Sequence, residues 1–148
     1  MDIEATGPAG NSGTLSGAVV SAADRNGKAD SAMSFASTGA TSGSYVNIPG
    51  GGGLNGATTA SISLWVQWNG PQDNGVGNRH GAVLGRQKNG SFSDNVLCLY
   101  NTSDPTTSNI NWETRLNAGM NSGVAAGDGT WRHVAITISP AGETLYVD

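Results

Sequence analysis

The chain has 148 residues, 36% of them hydrophobic, which supports one domain with a packed core and leaves no room for a second. Its 23 glycines and 12% charged content favour short strands joined by tight turns over helix interiors. A formal charge of −4 and a pI near 4.9, with seven scattered Lys and Arg, exclude the basic face that a nucleic-acid or anionic-membrane partner requires.

The start, Met1-Asp2-Ile3-Glu4, lacks the basic residues and apolar centre of a signal peptide, so it reads as a cut inside a longer gene. No stretch reaches the roughly 18 apolar residues of a membrane span, and membrane insertion is not expected. Strands are predicted over Thr14 to Val20, Ala32 to Phe35 and Ser44 to Ile48. The clearest alternation follows in Ser61-Ile62-Ser63-Leu64-Trp65-Val66-Gln67-Trp68, where Ile62, Leu64, Val66 and Trp68 share one face. Ser61, Ser63, Trp65 and Gln67 occupy the other, the mixed polar and aromatic side of a sheet partly open to water. Next come Ala82 to Arg86, Val96 to Tyr100 and Ile110 to Leu116. A second clear alternation runs from Trp131 to Ile138, with Val134, Ile136 and Ile138 on its apolar face, and Glu143 to Val147 closes the series. About nine such strands fit an antiparallel sandwich or barrel. Pro49 to Gly56, Asn69 to Gly81 and Asn101 to Asn109 read as loops, the second long enough to be a binding or mobile loop.

Three stretches in order resemble laminin G-like jelly-roll domains of the concanavalin A-like lectin and glucanase superfamily. The first runs Gly13-Thr14-Leu15-Ser16-Gly17-Ala18, then Asp24-Arg25-Asn26-Gly27-Lys28-Ala29, Ser31-Ala32-Met33-Ser34-Phe35 and Tyr45-Val46-Asn47-Ile48-Pro49. The second is Ile62-Ser63-Leu64-Trp65-Val66. The third joins Asp128-Gly129-Thr130-Trp131-Arg132-His133-Val134-Ala135 to Leu145-Tyr146-Val147-Asp148. The resemblance implies an all-β, antiparallel two-sheet jelly-roll sandwich forming a single domain over residues 1–148, with a concave face and a loop rim as ligand surfaces. The family pattern has one more strand before Gly7 and continues past Asp148. The first and last strands are therefore expected to be missing, and an open sheet edge could pair with a second copy as a homodimer.

Against that frame, the candidate chemistry is sparse. A retaining glycosidase needs two carboxylates about 5 Å apart, and no such motif occurs. Asn111, Glu113 and Arg115 alternate along one strand and read as a polar face with a salt bridge. No Gly-x-Ser-x-Gly elbow supports a hydrolase nucleophile. Gly51, Gly53 and Gly56 match a dinucleotide fingerprint in spacing, but they lead into a strand, without the helix N-terminus that would cradle phosphate. The resemblance makes His133 structural, with a ring nitrogen bonded to a neighbouring strand or loop; His80 reads as a solvated loop residue. Cys98 lies in the apolar run Val96 to Tyr100 and reads as a small core side chain.

Calcium is the metal to consider, since it takes oxygen ligands from loop carboxylates and amides, and Asp73, Asn74, Asp94 and Asp24 are the candidates at the rims. The segment after Phe35 has no carboxylate to add, and one Cys with two distant His rules out a zinc site. Aromatic rings stack on the C–H faces of sugars, which makes Trp65, Trp112 and Tyr100 candidate ligand contacts beside Asn111, Glu113 and Arg115, whereas Trp68 is in phase with the core. The expected function is a non-catalytic recognition module for carbohydrate or a cell-surface ligand, carried by a larger exported protein at the cell surface or outside the cell. A structural or adhesive spacer and a polysaccharide-active enzyme are the alternatives, because this fold hosts all three.

Overall fold

The computed structural model describes residues 13–36, 43–48, 58–69, 79–88, 91–101, 109–114, 117–125 and 127–148. Eleven strands fall in these segments, every pairing is antiparallel, and there is no helix among the described residues, in keeping with the all-β expectation. The chain divides into two compact units, residues 1–57 and 58–148.

In the first unit, β1 (Thr14–Ser16) pairs with β4 (Tyr45–Asn47), and β2 (Val19–Ala22) pairs with β3 (Ala32–Phe35). One strand was expected over Thr14 to Val20; two form, because the chain breaks at Gly17. Its φ of +76° is a left-handed conformation, and a Cβ there would lie 2.8 Å from Ser44 Oγ. The Ser44 hydroxyl accepts the Ala18 N–H at 2.9 Å and donates to the Ala36 carbonyl, which ties the break to the neighbouring chain.

In the second unit the strands are β5 (Ala60–Val66), β6 (Arg79–Lys88), β7 (Ser91–Asn101), β8 (Asn109–Thr114), β9 (Asn117–Ala125), β10 (Arg132–Ser139) and β11 (Gly142–Val147). They form a three-stranded sheet, β11-β10-β5, and a four-stranded sheet, β6-β7-β8-β9. The first gathers the two most clearly alternating segments of the sequence. Its register sets Val134 opposite Leu64 and Val147, and Ile136 opposite Ile62 and Leu145, so the branched side chains stack on one face.

That face meets Ile110 and Trp112 of β8. Together with Trp68, which follows β5, the buried cluster is Ile110, Trp112, Val134 and Ile136, with Leu64, Val66, Val83, Leu84, Met120, Ile138, Leu145 and Val147 packed against it. Each fully buried aliphatic side chain of this kind stabilises the fold by about 1.5–3 kcal/mol relative to exposure. Among the described residues, a polar contact joins the two sheets. The Trp112 indole N–H donates to Glu143 Oε2 at 2.8 Å, which satisfies a donor that burial would otherwise leave unpaired.

Strand limits differ from expectation mainly in the four-stranded sheet. β6 takes in Arg79, His80 and Gly81, which were assigned to a loop, and β7 begins at Ser91, well before Val96. β9 was not foreseen: Asn117-Ala-Gly-Met-Asn-Ser-Gly-Val-Ala has no two-residue period, and it becomes a strand by pairing with β8 through two register shifts.

Candidate functional site

The three-stranded sheet has a second face, and the same register that builds the core defines it. Three rows of side chains cross its strands: Ser61, Thr137 and Thr144; Ser63, Ala135 and Tyr146; and Trp65, His133 and Asp148 at the end. Exposure alternates residue by residue along β5 and β11, so this face is the open one. Trp65 is 43% exposed and Tyr146 54% exposed. Large exposed rings on a face that also carries Ser61, Ser63, Thr137 and Thr144 are its distinguishing feature.

The third row is the most constrained. The rings of Trp65 and His133 lie 5.1 Å apart between centroids and are tilted by 42°, a packing in the range where aromatic pairs attract. Nε2 of His133 is hydrogen-bonded to the Ser63 hydroxyl at 2.8 Å, which fixes the imidazole beside the indole. This is the bond to a neighbouring strand expected of His133. A Ser beside a His also invites comparison with a nucleophile and its base, which would need a third group orienting the imidazole. The adjacent Asp148 carboxylate instead accepts the backbone N–H of His133 at 2.7 Å. The Ser63–His133 contact sets the ring beside Trp65.

At the end of this sheet, the Asp128 turn leads the chain into β10. Asp128 Oδ1 accepts the Thr130 N–H at 2.9 Å, and Oδ2 accepts from Arg132 Nη2 at 3.0 Å. The backbone hydrogen bond from Thr130, helped by the Arg132 charge and opposed by slight desolvation, lowers the Asp128 pKa below the usual aspartate value. Gln67, just after β5, closes the same turn, its Nε2 donating to the Gly129 carbonyl at 2.7 Å.

The remaining candidates are placed as follows. Trp112 does not line an open surface: it is 2% exposed, because it shares parity with Ile110 and stands in register with Leu97 and Met120 on the core side of its sheet. Asn111, expected on a polar face, is 6% exposed and buried on the opposite side of β8. Glu113 lies opposite Val96, and Tyr100 opposite His80 and Asn109, by backbone pairing; their side chains lie outside the described residues, as do those of His80 and Cys98. Arg115 and its proposed salt bridge, together with Asp73, Asn74 and the glycines 51–56, lie outside the described residues altogether.

Asp94 was expected at a rim, but it falls inside β7. Asp24 is at a turn, where its Oδ1 accepts the Asn26 and Lys28 amides at 2.9 and 3.0 Å, the role of a turn-forming aspartate. Among the described residues, no three His, Cys, Asp or Glu side chains cluster as metal ligands would.

Tyr146 and Ser63 were not singled out as contacts. The signal for Tyr146 was present, since it alternates with Leu145 and Val147 and so belongs to the face opposite the core.

Residues 39–148 match the laminin G family described as the concanavalin A-like lectin/glucanases superfamily. The chain belongs to that superfamily. The concanavalin A-like match takes in β5, β10 and β11 with all of the face just described, and it excludes the motif run from Gly13 to Phe35. No curated protein and no solved structure matches the chain. Membership sets the chain among lectin- and glucanase-like modules, a class organised around carbohydrate and related ligands. Among the described residues, no helix of this laminin G-like chain is long and apolar enough to cross a membrane.

Proposed function

We propose that the chain is a non-catalytic recognition module of a larger exported protein, acting at the cell surface or outside the cell and binding carbohydrate or another surface ligand. The observation that carries this reading is the exposed Trp65, tilted against a His133 ring that Ser63 holds in place, on a face that also carries Ser61, Thr137 and Thr144. An indole presented in this way offers its face to the C–H side of a sugar, and the hydroxyls beside it offer donors and acceptors to the sugar's own hydroxyls. That chemistry binds without breaking bonds. Glu143, the carboxylate on the core side of the same sheet, is engaged by the Trp112 indole.

A glycan array probed with the wild-type chain and with Trp65→Ala tests the reading. Binding to at least one glycan class, reduced tenfold or more by the substitution, is the expected result. Silence across the array would favour a structural spacer, and release of reducing sugar from a bound polysaccharide would turn the reading toward an enzyme. Repeating the array with calcium and with EDTA tests the proposed calcium dependence; loss of signal in EDTA would show that a bound divalent cation supports binding and would direct substitution to Asp73 and Asn74.

A further inference from the structure

We infer that Asn26 is a site of spontaneous covalent modification, conversion to aspartate and isoaspartate through a succinimide, and that the turn built on Asp24 holds this reaction back until it opens. The chemistry needs no ligand and does not depend on the recognition reading. Asn26 is followed by Gly27 in the turn between β2 and β3, and both residues are exposed to water. A glycine leaves its amide nitrogen with no side chain beside it, the least shielded nucleophile the backbone offers to a preceding asparagine. A Cβ at Gly27 would meet nothing within 4 Å, so no neighbouring group bars the approach.

The reaction balances with water alone. The Gly27 amide nitrogen gives its proton to solvent and attacks Cγ of Asn26; the new N–Cγ bond closes a five-membered ring, the Cγ–Nδ2 bond breaks, and ammonia leaves with a proton returned from solvent. Water then opens the ring. Attack at Cγ leaves aspartate in an ordinary chain, and attack at the α-carbonyl leaves isoaspartate, in which the chain runs through the former side chain and gains a methylene. Either product replaces a neutral amide by a carboxylate, taking the formal charge from −4 to −5 by one added negative charge.

The folded turn occupies the nucleophile. The Gly27 N–H donates to the Asp24 carbonyl at 2.9 Å, and the Asp24 N–H donates to the Lys28 carbonyl at 3.0 Å. Asp24 Oδ1 adds two further bonds, accepting the Asn26 N–H at 2.9 Å and the Lys28 N–H at 3.0 Å, so the amides on both sides of Gly27 are tied to one carboxylate. Gly27 itself is fixed at a φ of +77°. For its nitrogen to lose a proton and turn toward Asn26 Cγ, the bond to the Asp24 carbonyl has to break. Modification therefore proceeds through local opening of the turn, the same event that exposes the Gly27 amide to hydrogen exchange.

The test follows two rates in mildly alkaline buffer: modification of Asn26, read by peptide mapping in a mass spectrometer with an isoaspartate-specific methylation, and hydrogen exchange at the Gly27 amide, read by NMR. Wild type, Asp24→Ala and Asp24→Asn are compared, each folded and in urea, with thermal melting as the check on fold. Asn26 of the folded wild type should react tenfold or more slowly than in the urea-unfolded chain. Asp24→Ala should speed both modification and Gly27 exchange several-fold in the folded chain and leave the unfolded rate unchanged. Asp24→Asn keeps an acceptor oxygen and should stay near wild type.

If Asp24→Ala does not fold, the wild type in rising sub-denaturing urea serves instead, where the two rates should climb together. Equal modification rates in the folded and unfolded wild type would overturn the inference. So would fast modification of Asn26 while the Gly27 amide stays protected, or an Asp24→Ala chain in which Gly27 exchange quickens and modification does not.

Discussion

The two sheets of residues 58–148 treat their side chains differently. In the β11-β10-β5 sheet exposure follows a two-residue period, with one face buried and one open, whereas β8 of the four-stranded sheet buries Ile110, Asn111 and Trp112 in succession. A tryptophan falls on each kind of surface. Trp65 is out of phase with Ile62, Leu64 and Val66 and stands in water; Trp112 is in phase with Ile110 and fills the core. The same side chain therefore serves recognition in one sheet and cohesion in the other, and parity with the aliphatic neighbours decides which.

The largest expected effect breaks the cohesive side of this comparison. Trp112→Ala removes a fully buried indole and should cost about 3–5 kcal/mol in urea unfolding, enough to leave a marginal fold. A cost below about 1 kcal/mol would mean that the residue is not in the core. Next is its partner. Glu143→Ala leaves the Trp112 indole N–H without an acceptor and should cost about 1–3 kcal/mol, whereas Glu143→Gln keeps an acceptor oxygen and should cost less. Equal losses in the two variants would show that the contact between the sheets contributes little.

On the open side, Trp65→Ala forfeits the ring packing with His133. A stability loss of about 0.5–1.5 kcal/mol is expected from the same unfolding curves. Should it match Trp112→Ala, the division between the two sheets would be wrong.

The smallest effect concerns the Asp128 turn at the entry to β10. Its carboxyl pKa is lower in the folded chain than in the unfolded one, so its contribution is fully present above the unfolded value and is lost as pH falls through the folded one. Acid unfolding of Asp128→Asn should therefore lack a small stability change seen below the ordinary aspartate range in the wild type. The difference should vanish near neutral pH only if the amide keeps the Thr130 bond.

The all-β class and the three-stranded sheet were legible because Ile62 to Val66 and Val134 to Ile138 alternate without interruption, and because tight antiparallel pairing converts that period directly into faces. The break at Gly17 was harder to see. Its cause is a close approach to Ser44, 27 positions along the chain, which local pattern does not encode. β9 escaped for a related reason: its residues have weak strand preference and are held by β8.

At the site, Trp65 was legible from its place on the polar face of β5, and Trp112 was misplaced for want of its register. Asn-Ile-Asn-Trp alternates polar and apolar residues, yet both faces of β8 are covered, so the polar positions did not mark water. Asp94 looked like a rim residue because Asp and Asn favour turns; it falls inside β7, where the register with β6 shifts between Arg86 and Lys88.

The most direct measurement uses the four tryptophans as reporters, Trp65, Trp68, Trp112 and Trp131, each giving one indole N–H resonance in a nitrogen-15 spectrum. Titration with a glycan that the chain binds should shift the Trp65 resonance first and furthest and leave Trp112 in place. A shift centred on Trp112, or saturation with Trp65 unmoved, would contradict the assignment of the open face of the β11-β10-β5 sheet to ligand recognition.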